Sequence, residues 1–211
     1  MIWTVGAFAV CLCICLPLYI YYKRTLHLHL ACCYKSLGTL CGFLMALIAA
    51  VRLDPRCWMC VVAILIYAAA DYVLEFNFIF GAGIFLAGHI CNIAFFLNLS
   101  PLSTVHFVAV LVLGGTALFV CYRWRKPIGK QMASFLVYGV SLVLMASCAF
   151  GCFMLNTAMG ILIACGGAFF FVSDIVLLRR VLFPSGNLID WFIMITYYSS
   201  VLLFGLSCLL I

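Results

Sequence analysis

Residues 57–97 read CWMCVVAILIYAAADYVLEFNFIFGAGIFLAGHICNIAFFL. As a single α-helix this run would be about 60 Å long at 1.5 Å per residue. That is twice the roughly 30 Å hydrocarbon core of a bilayer. The run must therefore double back, and Glu75 and Asn77 mark the turn. It reads as two membrane spans, 57–76 and 78–97. Lipid offers no partner for a bare backbone N–H or C=O, so each span is an α-helix.

The same reading continues in both directions. Apolar runs at 2–22, 31–51, 104–122, 132–150, 158–178 and 188–211 are separated by Asp54-Pro55, Asn98–Pro101, Lys126–Gly129 and Pro184–Asn187, all of which carry turn chemistry. The expected fold class is all-α, an integral membrane bundle of eight transmembrane helices. A count of seven would need 57–97 to be one helix. Of the 211 residues 69% are apolar and only 8% charged, against roughly 45–50% and about 25% in soluble domains. Eight spans of about 20 residues leave no room for a soluble catalytic domain. The first span lacks a basic n-region and a small-residue cleavage site, so it is expected to stay in the membrane.

The net charge of +6 sits in short groups between spans, with no stripe long enough to follow a nucleic-acid backbone. Nucleic acid is not an expected partner; the bilayer is. If the first loop is placed on side A, then Lys23, Arg24, Lys35, Arg123, Arg125, Lys126, Lys130, Arg179 and Arg180 share that side, and only Arg52 and Arg56 lie on side B. This bias places side A in the cytoplasm. Most of the fourteen cysteines lie inside apolar runs, where they act as small hydrophobes. Cys57 and Cys60 form a C-x-x-C without the second pair that a zinc site needs. No metal and no cofactor is expected.

Two stretches repeat. Ile66–Leu74 aligns without gaps on Phe169–Leu177, bringing Asp71 onto Asp174, 103 residues apart on spans three and seven. The expected organisation is one transmembrane domain, 1–211, built from two parallel four-helix repeats, 1–103 and 104–211. An acid inside a span costs roughly 2.5–3.5 kcal/mol on insertion scales, so it marks a functional site by default. At similar depth on neighbouring spans, Asp71 and Asp174 can share one wet cavity. Two such carboxyls do not both ionise cheaply, which leaves one as acid and the other as base. Glu75, a turn beyond Asp71, is read as an interfacial, solvated acid, and Asp54 and Asp190 as turn or span-edge residues. His89 in mid-span is either a hydrogen-bonded core residue or part of the polar site. Lys35 can snorkel or hold a phosphate. Tyr138 and Tyr197 read as belt tyrosines or site hydroxyls. Gly38 and Gly42 form a G-x-x-x-G suited to helix packing. No serine triad, metalloprotease helix or phosphate-binding glycine loop is present.

In order and span placement these residues resemble the YhhN family of eight-span membrane proteins. The resemblance rests on Lys35-Ser-Leu37, Ala70-Asp71-Tyr-Val-Leu74, Phe78 with Gly81, Phe85 and His89, Tyr138 with Leu142 and Met145, Gly167-Ala168 with Phe171, Ser173-Asp174 and Leu177, and Tyr197 through Leu203. Against the family pattern, Ser36 stands for proline, Ala70 for glycine, Asn92 for an aromatic residue and Val201 for glutamine.

Characterised animal members of this family are lysoplasmalogenases. The resemblance implies a hydrolase that cleaves the vinyl ether of 1-alkenyl-glycerophosphoethanolamine or -choline to a fatty aldehyde and a glycerophospho-base. It implies Asp71 and Asp174 as the catalytic pair, with Lys35, His89, Tyr138, Ser173 and Tyr197 binding a lysophospholipid substrate. Family likeness and short loops favour the endoplasmic reticulum membrane. The same acids, histidine and parallel repeats would also suit a proton-coupled transporter of a small molecule or lipid, without hydrolysis.

Overall fold

The computed structural model describes residues 2–184 and 186–211, with the side chains from Thr4 onward. Among these residues there is no strand, and eight helices are long and apolar enough to cross a membrane. They are α1 (Thr4–Arg24), α2 (Leu28–Arg52), α3 (Pro55–Leu74), α4 (Phe78–Leu99), α5 (Thr104–Arg123), α6 (Arg125–Leu155), α7 (Ala158–Leu182) and α8 (Asn187–Cys208). Each contains the expected span to within a few residues; α6 extends past it at both ends through 3-10 turns at Gly129–Gln131 and Cys152–Leu155. A π-helical stretch, Val10–Cys15, lies inside α1. The protein is an integral multi-pass membrane bundle.

Short polar caps keep the connections tight. Asn77 accepts a hydrogen bond from the Phe80 N–H at 3.0 Å, turning the chain where Glu75 and Asn77 were read as a break. Thr157 does the same for Gly160, and Ser103 and His106 cap α5 reciprocally. Each cap satisfies an N–H that a helix start leaves without a partner. Asp54 accepts from the Arg56 backbone and its guanidinium, and those hydrogen bonds hold its carboxyl below the usual range. Of the Pro184–Asn187 turn, Ser185 lies outside the described residues.

Helices α2, α3, α4, α6, α7 and α8 follow one another around a closed ring, with α8 returning against α2. Helix α1 lies outside against α2, and α5 outside against α6. Ring closure depends on small residues. A Cβ on Gly42 would sit 2.7 Å from the Val201 carbonyl oxygen, and one on Gly205 2.4 Å from that of Gly42. In the G-x-x-x-G of α2, Gly42 thus meets α8 backbone and Gly38 makes room for the Tyr198 ring, as helix packing in lipid favours. Backbone cannot yield as a flexible side chain does, so Gly42→Leu is expected at or beyond the upper end of overpacking costs, roughly 3 kcal/mol. The thermal midpoint in detergent should fall well below that of Gly115→Leu, whose added Cβ meets nothing within 4 Å.

The ring is plugged at mid-depth by four aromatic rings. Tyr67, Phe85, Phe170 and Tyr197 meet with centroids 5.2–6.2 Å apart. Phe95, Phe96 and Phe204 continue the packing toward side B. Tyr67 and Phe170 hold aligned positions of the two repeated stretches, and they touch at the centre.

Candidate active site

Above this aromatic layer the ring encloses a cavity of about 250 Å³. Asp71 and Asp174 both line it, one turn and two turns below the side-A ends of their helices. Lys35, Ser173, Tyr138 and Tyr197 line it as well. The mouth carries Lys23, Glu75, Arg180 and Asp190.

The two aspartates have unequal surroundings. Asp71 is 1% exposed and accepts from the Thr39 hydroxyl at 2.5 Å and the Tyr197 hydroxyl at 2.8 Å. The Lys35 ammonium lies 3.7 Å from its other oxygen. Two hydroxyl donors and one cation converge on this carboxylate from α2 and α8. Among the described residues Asp174 accepts from the Tyr138 hydroxyl alone, at Oδ2, and no ion pair among them includes it. Its Oδ1 is left to the cavity.

Lys35 is itself 5% exposed. It lies 3.0 Å from Glu75, and its own carbonyl accepts from Tyr198. Glu75 also accepts from Tyr19 at 2.7 Å and faces Lys23 at 3.3 Å. The reading of Glu75 as a solvated interfacial acid is therefore corrected: its side chain is 12% exposed and joins a closed cluster. Burial opposes ionisation of Glu75, but Lys35 and Lys23 beside it outweigh that and hold its carboxyl down to about 2. At neutral pH it carries no proton to give. Asp190, read as a span-edge residue, is likewise engaged: Arg180 Nε donates to it at 3.0 Å across the mouth.

His89 does not line the cavity. It is fully buried behind Tyr138, and both ring nitrogens are occupied. Nδ1 lies 2.9 Å from the Tyr67 hydroxyl and Nε2 3.3 Å from that of Tyr138. Asn92 Nδ2 donates to the Tyr67 hydroxyl at 3.0 Å. A hydroxyl has one proton to give, so these bonds can run in only one direction. Tyr138 gives its proton to Asp174 and must accept from His89 Nε2–H. His89 Nδ1 then accepts from Tyr67, and Tyr67 from Asn92. This chain of donors aims the Tyr138 hydroxyl at Asp174.

Ser173 lines the cavity, but its hydroxyl donates to the Ile193 carbonyl at 3.3 Å, bridging α7 to α8. Three of the four departures from the family pattern have evident local roles. Ser36 donates to the Ala68 carbonyl at 2.7 Å, Asn92 feeds Tyr67, and Val201 packs on Gly42 outside the cavity lining. Cys57 and Cys60 face the Cys208 and Phe204 carbonyls as buried packing residues. Thr39, Tyr67 and Tyr19 escaped sequence reading, and Asn92 was noted only as a departure from the family pattern; the available signal was that each lies about one turn from a polar residue already singled out.

Against known proteins, a model of the YhhN family matches residues 30–208. No curated protein and no solved structure matches the chain.

Proposed function

We propose, from the premise that this chain belongs to the YhhN family, that it is a membrane hydrolase opening the vinyl ether of lysoplasmalogens. The observation that carries the reading is the shared cavity with two unequally solvated carboxyls. Asp71, with two hydroxyl donors and the Lys35 cation beside it, is the ionised member. Asp174, with one donor on Oδ2, bears the proton on Oδ1. Hydrogen bonding to the charged form favours that form, which sets the order.

In this mechanism Asp174 delivers its proton to the outer alkene carbon, and an oxocarbenium-like cation forms at the carbon bearing the ether oxygen. The Asp71 carboxylate stabilises that cation and takes a proton from the water that adds to it. The resulting hemiacetal collapses to aldehyde and free glycerol hydroxyl, and the proton returns to Asp174. One water is consumed and no redox change occurs. Tyr197 and Thr39 hold Asp71, and Tyr138 holds Asp174. Lys35 supplies positive charge beside Asp71. The phosphate of the lysophospholipid is held at the mouth, where Lys23 and Arg180 would turn to it from their ion pairs with Glu75 and Asp190. The endoplasmic reticulum is the proposed membrane, with side A in the cytosol.

The aromatic layer closes the cavity toward side B, which supports turnover at one face over alternating access. The ring order, and the meeting of Tyr67 with Phe170, support reading 1–103 and 104–211 as parallel repeats. The test is direct: purified protein in liposomes containing lysoplasmenylethanolamine should release long-chain aldehyde. No aldehyde, together with pH-gradient-driven uptake of solute, would replace the hydrolase with the carrier.

A further inference from the structure

The acid cavity shares part of its wall with a neighbouring space. Between α4 and α6 a second space of about 340 Å³ lies beside it, and Phe78, Ala82 and Tyr138 line both. Its α4 wall is formed by Ile79, Ala82, Gly83 and Leu86, the i, i+3, i+4, i+7 stripe of one helix face. The small pair Ala82 and Gly83 makes that wall concave. Opposite stand Ala133, Ser134, Phe135 and Val137 of α6, with Ser134 the one polar side chain besides Tyr138. Gly83 and Ala133 are exposed, Val137 is 60% exposed, and Phe135 is buried at the inner end. The crevice therefore runs inward from the apolar outer surface to Tyr138, whose hydroxyl donates to Asp174. It opens roughly 8 Å below the side-A end of α4, at 1.5 Å per residue from Phe78.

We propose that this crevice seats the single aliphatic chain of the substrate, which enters sideways from the side-A leaflet. The inference rests on the hydrolase reading of the cavity and adds the direction from which the lipid comes. Charge at the mouth and the mainly apolar lining of the crevice, which meet at Tyr138, match an amphiphile with one polar head and one tail. The geometry also fits the chemistry. The carbon that receives the proton is the one on the chain side of the ether, and Tyr138, the donor to Asp174, stands between crevice and cavity. Surrounding lipid is as apolar as the crevice wall, so the crevice positions the chain and does not concentrate it.

Two substitutions fill the crevice from opposite walls: Gly83→Phe, where an added Cβ meets nothing within 4 Å, and Ala133→Phe. Each should lower kcat/KM for a long-chain lysoplasmalogen by about 100-fold, the scale of an ångström-level misplacement. The loss should shrink steadily as the alkenyl chain is shortened. Gly115→Phe, on the outer helix α5 where an added Cβ also meets nothing, should leave turnover unchanged. A chain-length-independent loss, or none, in both crevice variants would overturn the proposal. Binding is read separately with a non-cleavable 1-alkyl lysophospholipid bearing a terminal diazirine. Labelling of Leu86 or Val137 is expected. Labelling instead of Ala117 or Val120, which line the space of about 50 Å³ between α5, α6 and α7, or no labelling of α4 and α6, would also overturn it. If the wild type releases no aldehyde from any chain length, the hydrolase reading fails, and the labelling pattern still decides where the chain lies.

Discussion

Asp174→Asn is expected to abolish vinyl-ether cleavage, lowering kcat by 100- to 10,000-fold, the usual contribution of a positioned general acid. The amide keeps the shape of the carboxyl and can still accept from Tyr138, so the fold should survive, and an unchanged thermal midpoint checks that. What it loses is the proton at Oδ1. Asp71→Asn should fall as far in rate for a different reason. It removes the negative charge that stabilises the cation and receives the proton of water, and it leaves Lys35 with Glu75 as its only acidic partner. The double variant should be scarcely worse than either single one, because residues acting as a unit are not additive. Full turnover in either single variant, measured as aldehyde released in liposomes, would exclude the two-carboxylate mechanism.

Lys35→Met should have the largest effect on stability. It takes away the cation beside buried Asp71 and leaves Glu75 with Lys23, 3.3 Å away at the edge of the cluster. Removing one partner of a buried ion pair typically costs about 3–5 kcal/mol, because the remaining charge has neither solvent nor counterion. The thermal midpoint in detergent should drop sharply, and Lys35→Met combined with Glu75→Gln should recover part of the loss. Equal midpoints for Lys35→Met and wild type would mean that the cluster is solvated after all.

The span pattern was legible because lipid imposes it: a break is needed about every 20 residues, and the chain places capping residues such as Asn77 and Thr157 at those breaks. Asp71 and Asp174 stood out because charge is rare inside spans and because their local frames match. The neighbours of each helix were not legible. Periodicity tells which face of α4 bears His89, but not that α4 meets α6 there and that Tyr138 stands in front of it. Thr39 and Tyr67 look like any span residue until α2 and α4 are placed beside α3. Glu75 was misjudged for the same reason. Its distance from the interface was readable, but not that Tyr19 and Lys23 of the outer helix α1 fold over it.

The four-ring plug formed by Tyr67, Phe85, Phe170 and Tyr197 has a consequence for the host membrane. Ions and protons that enter from one compartment reach a dry stop half-way across. The membrane can therefore carry many copies of a protein with charged residues in its interior and still keep its electrical insulation.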